Sequence, residues 1–178
     1  AKGFDDDLNP NTIRAIRRVG STVWHFAVQD VRIDVLEWLK AAGMLDMINQ
    51  PNAGGVTPLH WAMSSQSHEA AARWMVSHGA DTSAINNHGY TVFISACQNM
   101  SASFVEELAG KVAPDHLALP NNQGFSPMYR TFVRSADLGG YLPIVRLLIL
   151  RGVPVRPQDF PAGHRGHLLP RRRQIVAS

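Results

Sequence analysis

One cysteine, Cys97, stands in a sequence of 178 residues. A disulfide framework is therefore excluded, which fits a reducing compartment. No uninterrupted apolar run approaches the length needed to span a bilayer. The first residues, Ala1-Lys2-Gly3-Phe4 and then three aspartates, lack the apolar centre of a secretory signal. A cytoplasmic location is expected, with the nucleus as the alternative, and the missing initiator Met predicts a piece of a longer protein. Catalytic signatures are missing as well. There is no Gly-rich loop ending in Lys-Ser/Thr, no His-Glu-x-x-His and no Cys-x-x-Cys. His164 and His167 stand three apart in a Gly/Pro-rich stretch, with no cysteine or carboxylate beside them to complete a zinc site. The sequence predicts no enzyme, no metal and no cofactor.

What it does contain is a repeat. Gly55-Val56-Thr57-Pro58-Leu59-His60-Trp61-Ala62 has partial copies beginning at Gly20, Gly89 and Gly124, spaced 35, 34 and 35 residues apart. A period in the low thirties marks a repeat array. Each position has a physical role. Glycine accepts the positive φ of a tight hairpin. Thr22, Thr57, Thr91 and Ser126 can cap the helix that follows. Pro58 and Pro127 then occupy a first helical position, where the missing N–H costs nothing. His25 and His60 read as structural, their imidazoles bonding the backbone of the neighbouring turn, with catalysis as the alternative. A second signature follows at a nearly fixed distance: amphipathic helices over 33–43, 70–79 and 144–152, closed by Gly43, Gly79 and Gly152.

On Gly55–Ala62, Gly79-Ala80-Asp81 and the three copies in register, the chain resembles the ankyrin repeat family from about Arg18 to Val155. The resemblance implies an all-α solenoid, in which each unit is a hairpin followed by two antiparallel helices. The units run over about 18–51, 52–84, 85–119 and 120–155. Residues 1–17 are expected to form an N-terminal segment, where Asn11 can cap a short helix whose Ile13 and Ile16 cover the first repeat. Residues 156–178 form a basic, Pro/Arg-rich cap or linker. Val31 takes the place of an interhelical glycine. Ser103 is expected to cap the second helix of repeat three, with Glu106 completing a capping box. Repeat four carries extra residues near 135–141, and Pro143 opens its second helix. Cys97 falls on the first helix of repeat three and reads as a small buried residue; as a nucleophile it has no His-Asp partner there.

Charge is unevenly spread. Residues 1–145 hold 10 Lys+Arg against 13 Asp+Glu, and residues 146–178 hold 7 against 1. Arg171-Arg172-Arg173 reads as a solvated run, or as a contact for an external acidic group if a helix follows it. Nucleic acid is not the expected partner, because no aromatic interleaves those arginines and the array itself is acidic. A protein or peptide partner is expected, bound by a chain that is monomeric when isolated. In an ankyrin-like array the hairpin tips and first helices line a concave groove. This places Gln29 and Asp30, then Val56, Ser64 and Gln66, then Asn87, His88, Tyr90, Gln98 and Asn99, then Gln123, Phe125, Val133 and Arg134 as partner-binding candidates. Tyr90 and Phe125 follow their glycines at equivalent positions and should be neighbours on one ridge, exposed for binding or packed down on the adjacent hairpin. The resulting expectation is a scaffold or adaptor. The alternative is a regulatory or targeting domain of a larger enzyme or channel.

Overall fold

The computed structural model describes residues 20–133 and 140–160. Among these residues eight α-helices stack as four antiparallel pairs: α1 Val23–Gln29 with α2 Ile33–Ala41, α3 Pro58–Ala62 with α4 Glu69–Ser77, α5 Val92–Asn99 with α6 Ala102–Ala109, and α7 Pro127–Val133 with α8 Leu142–Leu150. The first helices pack in sequence, α1 on α3, α3 on α5 and α5 on α7. No strand forms among the described residues beyond isolated bridges such as that between Ile85 and Thr91. The all-α solenoid expected from the sequence is the architecture found.

The repeated octet explains each first helix. The hydroxyl oxygens of Thr57, Thr91 and Ser126 accept the backbone N–H of His60, Ile94 and Tyr129 at 3.3, 3.0 and 3.0 Å. Each bond satisfies one of the donors that a helix start leaves open. Four residues after each glycine come Trp24, Leu59, Phe93 and Met128, all at most 1% exposed. Three further on, Ala27, Ala62, Ala96 and Thr131 are buried in turn. The large side chain fills the layer and the small one lets the helices approach. Thr131 is the polar exception, and its hydroxyl donates to the Pro127 carbonyl at 2.9 Å, so it enters the core without an open donor. Cys97 is completely buried in the same core.

Two backbone features depart from simple expectation. Val31 joins α1 to α2 at φ +52°, a left-handed conformation that costs a β-branched residue on the order of 1–2 kcal/mol. Its side chain packs against the core, which offsets part of that cost. The second helix of repeat three starts earlier than its sequence suggests. Ser101, not Ser103, is the N-cap and accepts the Phe104 N–H at 3.3 Å. The reason lies on the preceding repeat. The Glu69 carboxylate takes both the Ser101 N–H at 2.9 Å and its O–H at 2.8 Å, pinning the chain at residue 101. Burial pushes the Glu69 pKa up, but these two donors and Arg73 outweigh it and hold the carboxyl below its ordinary value. Arg73 continues the line along the second helices, pairing with Glu69 and Glu107 and lying 4.6 Å above the Phe104 ring.

Among the described residues no further helix pair follows α7 and α8. There a short 3₁₀ turn, Pro157–Asp159, packs on α7. Asp159 is 1% exposed; it accepts the Ser126 hydroxyl and the Arg156 N–H. A single buried acid thus closes the helix start that another finger would otherwise cover. The expected N-terminal helix after Asn11, the insertion over 135–139 and the tail beyond 160, with His164, His167 and Arg171–Arg173, lie outside the described residues.

Gly89 and Gly124 give a direct test of the stacking. Both have positive φ, +76° and +80°. A Cβ at Gly124 would meet nothing within 4 Å, whereas one at Gly89 would lie 2.7 Å from the backbone nitrogen of Asn122 in the next finger. Gly124→Ala should cost roughly 1–2 kcal/mol from backbone strain alone. Gly89→Ala should cost more, on the order of 3 kcal/mol, because the next finger must also move. Urea denaturation of the two variants measures the difference.

Candidate functional site

The four glycines mark hairpin fingers, and asparagines build them. Asn52, Asn86 and Asn121 stand three residues before a glycine. Each uses its side-chain oxygen to accept two backbone N–H groups across the turn. Asn52 takes Gly54 and Val56, Asn86 takes His88 and Tyr90, and Asn121 takes Gln123 and Phe125, all between 2.9 and 3.2 Å. This is the local side-chain turn for which Asn is favoured. The next asparagine ties one finger to the last. Asn87 donates its backbone N–H to Gly54 and its amide to Ala53 at 3.0 and 3.1 Å. Asn122 does the same to His88 and Asn87, both at 3.1 Å. The signal for these residues was present in the sequence as Asn-x-x-Gly, yet Asn52, Asn86, Asn121 and Asn122 were not among the predicted ones.

Histidine makes the deeper connection. His25 Nδ1 accepts the Thr22 N–H at 3.0 Å, which fixes the tautomer with the proton on Nε2, and Nε2–H donates to the Val56 carbonyl at 2.9 Å. His60 repeats the arrangement, with Nδ1 facing the Thr57 N–H at 3.3 Å and Nε2–H donating to the Tyr90 carbonyl at 3.0 Å. Both rings are buried. Burial pushes the His60 pKa down to about 4, against a weaker upward pull from Asp81, and pushes the His25 pKa down despite its bond to Val56. Both imidazoles are neutral structural ties, and every ring nitrogen is already committed within the fold. At the third junction Ile94 replaces histidine and is fully buried, so it contributes packing but no such bond.

An arginine sandwich occupies that third junction instead. The Arg130 guanidinium lies 5.0 Å from the Tyr90 ring centroid and 4.9 Å from that of Phe125. Phe125 stacks in turn on Tyr129, with centroids 4.5 Å apart and planes 8° from parallel. The ridge is thus one continuous pile drawn from two fingers and one helix, with both rings half-buried. Sequence reasoning paired Tyr90 with Phe125 but missed Arg130 between them.

A family comparison decides what kind of stack this is. The family model for ankyrin repeats, found in three copies, matches residues 6–86 and 24–118, together more than half of the chain. The chain belongs to the ankyrin repeat family. No curated protein matches it. Ankyrin repeats are generally protein–protein interaction modules and typically not catalytic.

The remaining predicted positions fall in three groups on this ankyrin stack. Gln29, Asp30, Ser64, Gln66, His88, Gln123 and Val133 are exposed, and Gln98 is half-buried on α5. Asn87, Asn99 and Val56 carry bonds inside the stack: Asn99 donates to the Met63 carbonyl at 2.8 Å, and the Val56 carbonyl is the acceptor for His25. Arg134 lies outside the described residues. On the opposite side of the ankyrin array, α6 and α8 flank an open groove of about 590 Å³ that includes Glu106, Leu142, Arg146 and Leu150, and no predicted site residue lies there. Among the described residues no group of three His, Cys, Asp or Glu is placed to hold a metal ion, and no helix is long and apolar enough to cross a membrane.

The buried neutral histidines give the fold an acid-sensitive stability. For His60 the folded pKa, about 4, lies below the ordinary 6.5. Its contribution is therefore complete above pH 6.5, declines as the unfolded chain takes up the proton, and is gone near pH 4. The loss should be on the order of 3 kcal/mol from this ring, with His25 adding in the same direction. Urea midpoints measured from pH 7 to pH 4.5 should fall more steeply for the native chain than for His60→Gln.

Proposed function

We propose that this chain is a non-enzymatic scaffold or adaptor domain that takes a partner protein or peptide on the concave face made by its finger tips and first helices. One observation carries the reading: the Tyr90–Arg130–Phe125–Tyr129 pile on that face. Aromatic and arginine side chains supply much of the binding energy of protein interfaces. Here they are held in place before any partner arrives, because the Tyr90 backbone is tied to His60 and the Phe125 backbone to Asn121. A preset surface loses little side-chain entropy on binding. The exposed Gln29, Asp30, Ser64, His88 and Gln123 then form the polar rim, and Gln98 sits beside them on the first-helix layer. The domain acts as a monomer within the cytoplasm in this reading.

Affinity capture with the full chain as bait, followed by mass spectrometry, supplies the partner. Tyr90→Ala with Phe125→Ala should then weaken capture about tenfold or more, the effect of losing a hot spot. The far-ultraviolet circular dichroism of the double variant should remain helical. Undiminished capture by a folded double variant removes this face as the binding site.

A further inference from the structure

Arg130 is the one cation of the ridge, and nothing described neutralises it. The four segments that form this part of the face are the fingers 86–90 and 121–125 and the helices α5 and α7. None contains an aspartate or a glutamate, and Arg130 is their only Lys or Arg. Among the described residues no carboxylate pairs with it, in contrast to Arg32 and Arg73, which do have acidic partners. Its Nε is buried without a hydrogen-bond partner. Burial also pushes its pKa below the ordinary guanidinium value. A guanidinium keeps its charge under such burial, and its binding to an anion strengthens as competing water is removed.

The geometry leaves one direction for that binding. Two aromatic rings cover the guanidinium near its carbon. With Nε buried, the edge that remains is that of the two terminal nitrogens, and their paired N–H groups match the two oxygens of a carboxylate. We infer that Arg130 is a receptor for a single acidic side chain, Asp or Glu, of the polypeptide that occupies the finger face. This rests on the reading of that face as the binding surface and names what it recognises. One cation in an otherwise uncharged patch balances a monoanion. A phosphate dianion would leave charge uncompensated there. The two rings and the buried Nε leave the guanidinium only partly exposed, so an acid that meets it gives up some of its water. A contact of that kind has more effect on affinity than a fully exposed ion pair does.

A random peptide library selected on the full chain tests this. The enriched peptides should share one Asp or Glu at a fixed place. Its replacement by Asn or Gln should weaken binding to the native chain about tenfold or more, and should change binding to Arg130→Gln by less than about twofold. If Arg130→Gln does not fold, the same cycle is run with Arg130→Lys, which keeps the charge without the fork and should lose most of the acid preference. A preference for the acid that survives in both variants overturns the inference. So do enriched peptides with no shared acid, although the interaction reading then stands. Inorganic phosphate that displaces a selected peptide far better than acetate also overturns it, in favour of a phosphate receptor. A library that yields no binder, with Arg130→Gln altering only the thermal midpoint, makes Arg130 a structural brace and removes both the inference and the reading beneath it.

Discussion

The structure depends on the bond between a buried imidazole and the backbone of the following finger. In a solenoid of short helices each unit is held only by its neighbours. The five-residue helix Pro58–Ala62 would not persist alone in water. His25 and His60 solve two local problems at once. One ring nitrogen helps finish the start of its own helix, and the other reaches across to the next repeat. The cost is burial of two polar rings, and that cost is met because both nitrogens are satisfied. Neutrality is then enforced by the surroundings, not incidental to them.

Around that tie the two sides of the stack divide the remaining work. The second helices carry charged and aromatic bridges between repeats. Glu69 anchors Ser101, Arg73 spans to Glu107, and Trp74 donates from Nε1 to Glu37 at 2.6 Å. The fingers carry uncharged amide bridges, through Asn87 and Asn122. Where the imidazole is replaced by Ile94, the Arg130 sandwich joins finger three to helix α7. One group there supports the array and stands ready for an anion. The fingers 86–90 and 121–125 and the helices α5 and α7 hold that one Arg and no carboxylate.

Much of this was readable from residues alone, because the repeat fixes register. The glycines, the threonine caps, the buried Trp24, Leu59, Phe93 and Met128, and the structural histidines all follow from one aligned octet. The misses share a cause. The N-cap at Ser101 depends on Glu69, more than thirty positions earlier, and no local pattern around Ser103 reveals that. Asn87 is exposed and Asn99 half-buried, and no pattern in the sequence reveals that both amides bond carbonyls of the preceding repeat. Arg130 is the seventh residue of its octet, at a position the repeat leaves variable, and its importance arises only when two fingers meet. Asp159 closes the last pair from outside the period altogether. Periodicity shows what each unit has in common, including the histidine tie, whereas the contacts through Glu69, Arg130 and Asp159 come from residues the period leaves free.

Neutral imidazoles, protonated at Nε2, join the fingers. Long-range proton–nitrogen correlation spectra of the full chain labelled at histidine read that state ring by ring. His25 and His60 should show a bare Nδ1 and a protonated Nε2 at pH 7, with neither ring titrating near the ordinary histidine pKa. A proton on Nδ1, or a midpoint close to 6.5 for either ring in the folded chain, rules the tie out.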